Sequence, residues 1–323
     1  MDFLQTTFSI SGVTTNVLFP PLVALVISFF TSMGGISGAF LLLPFQMSAL
    51  NYTAPSVSGT NHVFNIVAIP SGVWRYIKEG RMAWPLTWVI IAGTLPGVFI
   101  GYYLRVRYLP DPKMFKLFVG VVLLYIGLRL LKELISGDGV RSAGAKALEE
   151  KFRARVEEAR TLRQEKLASG IPAGAVVKTI SVSLGRVEYE FWGERFAFHT
   201  MGMFGLALVV GVIGGAYGIG GGAIIAPFCV AVFQLPIHTI AGATLMGTFI
   251  ASVAGALFFS FIPATNGMSP MPDWPLGILF GAGGFIGMYL GAKTQKYFPQ
   301  RAIKSIVCIA IMALAVNYIL KFL

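Results

Sequence analysis

The chain has 323 residues, 55% of them hydrophobic and only 12% charged, with 38 glycines and a net charge of +11; its mean hydropathy is +0.74. A soluble domain carries about a quarter charged residues, so soluble enzyme folds, secreted disulfide scaffolds and disordered tails are excluded. The basic excess does not point to nucleic acid, because many of the cations flank apolar runs and no recognition motif accompanies them.

Residues 1–16 are polar and hydroxyl-rich, carry one acidic residue, Asp2, and lack the basic start of a cleavable signal peptide. Apolar segments follow at about 17–33, 37–50, 56–77, 83–104 and 114–135, and again at about 201–216, 223–235, 238–262, 274–292 and 302–322. Several provide the roughly twenty residues that a hydrocarbon core about 30 Å thick requires, so the chain is read as an integral membrane protein. The two sets resemble copies: placing Pro44 on Pro227 puts Gly35 on Gly218, Gly38 on Gly221 and Gly59 on Gly242. After a short insertion, Ile100-Gly101-Tyr102-Tyr103-Leu104 falls on Ile286-Gly287-Met288-Tyr289-Leu290. The predicted fold is all-α and membrane-integral. It has two five-segment repeats, 1–136 and 200–323, each opening on a glycine-broken helix pair, around a small soluble α+β insert at 137–199.

Within the insert, 143–168 is charged and helix-prone, and 176–198 alternates as two short strands around Leu184-Gly185-Arg186. Orientation follows from charge. The loop from Arg75 to Arg81 is basic, whereas its counterpart, 263–274, has neither Lys nor Arg. If 75–81, the insert and 293–304 face the cytoplasm, 20 of the 25 basic residues face in, counting Arg129 and Lys132 at the insert's edge, which favours inverted over parallel repeats. The basic stretch from Arg105 to Lys116 then faces out, against the rule. An inverted arrangement needs an odd number of crossings per copy, or a non-crossing pair at its start.

Each copy begins with two apolar pieces separated by glycine: Met33-Gly34-Gly35-Ile36-Ser37-Gly38, and Tyr217-Gly218-Ile219-Gly220-Gly221-Gly222. Short or glycine-interrupted segments at matching positions of two repeats are the best sequence pointer to a transporter's substrate site. Freed N–H groups at a helix start attract anions. The same glycines also suit close helix packing.

On these residues the sequence resembles the TauE/SafE sulfite and organosulfonate exporters, the TSUP family. The most specific match is Gly218-Ile219-Gly220-Gly221-Gly222-Ala223-Ile224-Ile225-Ala226-Pro227, and the second is Gly242-Ala243-Thr244-Leu245 with Gly59-Thr60-Asn61-His62 as its equivalent. The resemblance covers both copies and omits the insert. It implies a transporter that exports sulfite, sulfoacetate or related sulfonates, with no cofactor.

Polar side chains support an anion path independently. Ser56, Ser58, Thr60, Asn61, His62 and Asn65 cluster in one helix, and His238, Thr239, Thr244 and Thr248 in its counterpart. Hydroxyl and amide donors can replace the water shell of an oxyanion. The substrate-binding candidates are Gly34, Gly35, Ser37, Gly38, Thr60, Asn61, His62, Tyr217, Gly218, Gly220, Gly221, Gly222 and Thr244. His62 and His238 are candidates for proton coupling, and Arg75, Lys78 and Arg81 for a cytoplasmic mouth that gathers anions. Outside the insert the acidic residues are Asp2, Glu79, Asp111, Glu133 and Asp273, all near segment ends, which disfavours a carboxylate proton relay or cation site. Cys229 and Cys308 lie in apolar runs, and no metal-spaced cluster, phosphate loop or nucleophile elbow occurs, so no metal and no enzymatic activity are expected. The partners read from the sequence are a small anion and the bilayer; a homodimer is allowed but not required. The location is the inner membrane with a cytoplasmic insert. An anion channel, a carrier of a non-sulfur organic anion, and a sensor acting through the insert are the alternatives.

Overall fold

A computed structural model describes residues 4–33, 37–78, 80–136, 176–191, 193–264, 269–294 and 300–322. It is mostly helical. Strands β1 (Gln5–Thr7) and β2 (Thr14–Asn16) precede helices α1 (Phe19–Met33), α2 (Ala39–Ala49), α3 (Ser56–Ala68), α4 (Pro70–Lys78), α5 (Trp84–Tyr103) and α6 (Pro112–Ser136). Strands β3 (Val177–Val182), β4 (Arg186–Phe191) and β5 (Glu194–His199) follow, then α7 (Thr200–Tyr217), α8 (Gly222–Ala231), α9 (Ile237–Phe261), α10 (Trp274–Thr294) and α11 (Gln300–Leu320). Among the described residues five helical stretches are long and apolar enough to cross a membrane: Trp84–Tyr108, Pro112–Lys132, Thr200–Tyr217, Thr239–Phe261 and Trp274–Gly291. Three more apolar helices are shorter.

Several expectations change. The fold is not all-α outside the insert, because 5–16 closes as an antiparallel hairpin with Thr6 opposite Thr15. The insert's sheet has three antiparallel strands in the order β3-β4-β5, not two. Phe191 pairs with Glu194 across a two-residue turn that includes Gly193 at φ +79°, a left-handed position that suits glycine and lets the chain double back once more. The expected helix of the insert, 143–168, lies outside the described residues. The segment expected at 56–77 is two helices, since Pro70 has no N–H for the ladder and α3 ends just before it. Beyond α5 the chain continues through one π turn, Leu104–Tyr108.

Contacts fix the helix directions. Tyr189 of β4 bonds Thr239 at the start of α9 (2.8 Å), Val177 N–H donates to Gly80 O before α5 (3.0 Å), and α7 follows β5 directly. Hence α5, α7 and α9 all start at the end of the bundle where the sheet sits. At the other end Tyr102 meets Ile262, and β1–β2 donate through Ser11 to Asp273, which caps the start of α10 and bonds Thr60 near the start of α3. From this end α1, α3 and α10 run the opposite way. Because α7 leads away from the sheet and α9 starts beside it, α8 must carry the chain back; α7 and α8 form a hairpin that enters and leaves at the sheet end. By the same reasoning α1 and α2 enter and leave at the other end, where Ser48 of α2 meets Tyr318 of α11 at 2.7 Å. Helix α6 runs toward the sheet end and packs antiparallel on α11, Gly120 against Ala315 and Tyr318, and Gly127 against Met312.

Small residues let the long helices meet at backbone distance, the usual device where lipid offers no hydrophobic drive. Gly93, Gly97 and Gly101 of α5 abut Ala207, Gly211 and Gly215 of α7, and a Cβ at any of the three would strike the partner's backbone. Gly283, Gly287 and Gly291 of α10 abut Pro21, Leu25 and Phe29 of α1 in the same manner. Both glycine triads follow a Trp-Pro-Leu helix start, Trp84-Pro85-Leu86 and Trp274-Pro275-Leu276. This register puts Gly101 on Gly291, one turn away from the match to Gly287 expected from sequence.

Candidate functional site

The start of α2 and the turn between α7 and α8 meet inside the bundle. Helix α7 ends at Tyr217 because the next residues leave helical geometry: Gly218, Gly220 and Gly221 have φ of +87°, +69° and +87°. A Cβ at Gly218 would also meet the backbone of Ser58, so this turn requires glycine twice over. A helix end leaves carbonyls without partners. Here a stripe of side chains on α3, at spacings of three and four residues, supplies them. Ser58 Oγ donates to Ala216 O at 2.8 Å, and the amides of Asn61 and Asn65 donate to Gly218 O at 3.1 and 3.3 Å. The start of α8 is met from the other side, by α9: Gly222 N–H donates to Thr248 Oγ1 at 2.8 Å.

The first hairpin is tied to the same point. Asn61 Nδ2 also donates to Ala39 O of α2 at 3.1 Å, and Tyr217 OH donates to Phe40 O at 2.9 Å. Gln46 of α2 donates through Nε2 to Asn61 Oδ1 at 3.4 Å, and Asn65 Nδ2 reaches Ser252 of α9 at 3.2 Å. One fully buried asparagine therefore holds both hairpin tips.

The sequence candidates divide accordingly. Asn61, Tyr217, Gly218, Gly220, Gly221 and Gly222 converge at the meeting point, together with Gly38, which packs against Ser28 and Phe64. Ser37 accepts from Ala39 N–H at the start of α2. Thr60 faces elsewhere, bonding Tyr52 (3.0 Å) and Asp273 N–H (2.8 Å). The Thr244 hydroxyl donates to its own helix, at Ile240 O and Ala241 O, and Thr248 takes the contact with Gly222. His62 is fully buried beside Gly255 and Phe259, and neither ring nitrogen has a hydrogen-bond partner among the described residues. At the sheet end Lys78 is exposed, whereas Arg81 is buried with its guanidinium 4.8 Å from the Tyr76 ring centre. Gly34 and Gly35 lie outside the described residues, as do the side chains of His238 and Arg75.

Two features were not singled out from sequence. Gln46 is a lone amide in an apolar helix, a signal that could have been weighed. Arg105, expected as an outward-facing violation of the charge rule, is fully buried. Its guanidinium donates to Leu109 O, to Thr53 O (3.1 Å) and to Ser58 Oγ (3.3 Å), and lies 3.6 Å from the Phe115 ring centre. It is therefore a structural cation at the end of the α3 stripe. Outside the membrane segments, burial pushes the Tyr189 phenol up, so it stays a neutral partner for Thr239.

A family model described as "Sulfite exporter TauE/SafE" matches residues 21–318. The chain is 22% identical over 297 residues to a "Probable membrane transporter protein YunE" of Bacillus subtilis (strain 168), covering 89% of this chain and 92% of that protein. No solved structure matches it significantly. With the apolar helices and the family match taken together, the chain belongs to the TauE/SafE sulfite exporter family and is a multi-pass membrane transporter.

Proposed function

We propose that this transporter exports small sulfur-containing anions, sulfite or organosulfonates such as sulfoacetate, through the meeting point of the two hairpin tips. The observation that carries the reading is Asn61, whose amide bridges Ala39 O and Gly218 O and so joins the two hairpins at one buried polar locus. Neutral donors there suit an anion that must shed water without meeting a strong counter-charge. The family description supplies the sulfur chemistry. An anion entering this locus competes with the backbone carbonyls for the amides of Asn61 and Asn65, which loosens one tip from the other and passes access from one side to the other. A continuous open pore fits less well, because the tips are joined.

The two halves are read as inverted copies. Support comes from the opposed directions of corresponding helices, α1 and α7, α5 and α10, and from the same glycine packing of α1 on α10 as of α7 on α5. In this reading the sheet end faces the cytoplasm of the inner membrane, Lys78 stands at its mouth, and the insert 137–199 is cytoplasmic. The inside-negative potential then favours outward anion movement by about 2.3 kcal/mol per charge per 100 mV. His62 is the candidate for proton coupling in this reading, as a buried imidazole one residue along α3 from Asn61.

Thermal stabilisation of the detergent-purified protein by sulfite, thiosulfate, sulfoacetate, isethionate, sulfate and acetate tests this. Selective stabilisation by a sulfur anion, lost in Asn61→Ala, is the expected result; stabilisation by acetate alone, or an unchanged response in Asn61→Ala, contradicts it.

A further inference from the structure

The hydrogen bonds at the hairpin tips fix which way each buried amide points. Ala39 O and Gly218 O can only accept, so the atom of Asn61 that faces both is Nδ2, and its Oδ1 faces Gln46. An acceptor there requires Gln46 to present Nε2, which leaves Gln46 Oε1 without a partner. By the same logic Gly218 O fixes Asn65 Nδ2, and Asn65 Oδ1 is left without a partner. Both residues are fully buried. The amide nitrogens are thus engaged, and among the described residues the two side-chain carbonyls have no partner. Asn61 and Asn65 lie one turn apart on α3, and Gln46 touches Asn61. Leaving buried acceptors unmet is costly, and a ligand that brings a donor recovers that cost.

We infer that the site selects an anion that itself carries a hydrogen-bond donor, such as a hydroxyalkyl sulfonate or hydrogen sulfite, over a donor-free anion. Gln46 and Asn65 are the specificity-determining residues, through their side-chain carbonyls. This rests on the transport reading above and narrows it, ranking the donor-free sulfoacetate below isethionate. A site built to pair a ligand hydroxyl rejects the analogue that lacks it far more strongly than an apolar pocket rejects a missing methylene.

The test compares ligands of equal charge that differ by one hydroxyl: isethionate against ethanesulfonate, and lactate against propionate, each titrated into the full-length protein in detergent and followed by thermal stabilisation. Isethionate should bind about tenfold or more tightly than ethanesulfonate, and Gln46→Met should reduce that ratio toward one. Equal affinities for the two sulfonates, or a preference that survives in Gln46→Met, overturn the inference while leaving sulfonate transport intact. Preference for lactate over propionate with no sulfonate binding upholds the donor rule and overturns the sulfur reading. No stabilisation by any of the four overturns both. The wild-type comparison stands alone should Gln46→Met fail to fold.

Discussion

Asn61 does two jobs with one amide. It donates to Gly218 O at the end of one helix and to Ala39 O at the start of another, and it ties together segments that enter from opposite ends of the bundle. Asn61→Ala removes both hydrogen bonds at about 0.5–1.5 kcal/mol each, although Gly218 O keeps Asn65, so a lower melting temperature and a loss of flux are expected together; scanning calorimetry and uptake assays check this. Gly221→Leu should abolish transport with the protein still inserted, because its φ of +87° admits a branched side chain only with strain; normal flux in that variant would remove the glycine hinge from the account. Arg105 holds three oxygens in a fixed fork, which a lysine ammonium cannot reproduce, so Arg105→Lys should destabilise nearly as much as Arg105→Leu in the same thermal assay. At this scale the sequence was partly readable. The glycine run and the α3 polar stripe stand out because glycine clusters and amides are rare in apolar helices. Thr60 and Thr244 did not sort themselves from Asn61, since a hydroxyl within a helix can always bond its own backbone and only the neighbouring helix decides where it points. Arg105 was legible only as an anomaly of charge.

Among the elements, α1 and α7 pack on the glycine-lined faces of α10 and α5. The α5–α7 and α1–α10 contacts have no room for a side chain, so Gly97→Leu and Gly287→Leu should be equally damaging to folded yield, measured by monodispersity after extraction. Unequal damage would weaken the view that the two contacts are equivalent. The insert's sheet is bound to the bundle through Tyr189 and Thr239 and through Val177 and Gly80. Tyr189→Phe should cost about 1 kcal/mol of stability with transport retained; abolished transport in a stable variant would favour a signalling role for the insert. Helix positions were legible because apolar runs and Trp-Pro starts mark them. The split at Pro70 was signalled by that proline, yet continuous apolarity on either side concealed it. The third strand hid behind a two-residue turn. The N-terminal hairpin pairs through three residues per strand, too short a stretch for alternation to register.

The whole molecule is a family transporter in which helix directions alternate so that each hairpin opens toward a different side. An inverted arrangement makes Lys78→Cys and Lys178→Cys react with an impermeant thiol reagent from the cytoplasmic side, and Lys113→Cys from the other; the native Cys229 and Cys308 are buried and free. Labelling of positions 78 and 113 from the same side would break the topology. The measurement that reaches the central claim most directly is efflux of radiolabelled sulfite and isethionate from proteoliposomes, comparing the wild-type protein with Asn61→Ala under an inside-negative potential. The account predicts saturable efflux, stimulated by the potential and lost in Asn61→Ala although the variant is inserted. Efflux at wild-type rate through Asn61→Ala, or none of either anion through the wild-type protein while a non-sulfur anion passes, would contradict it.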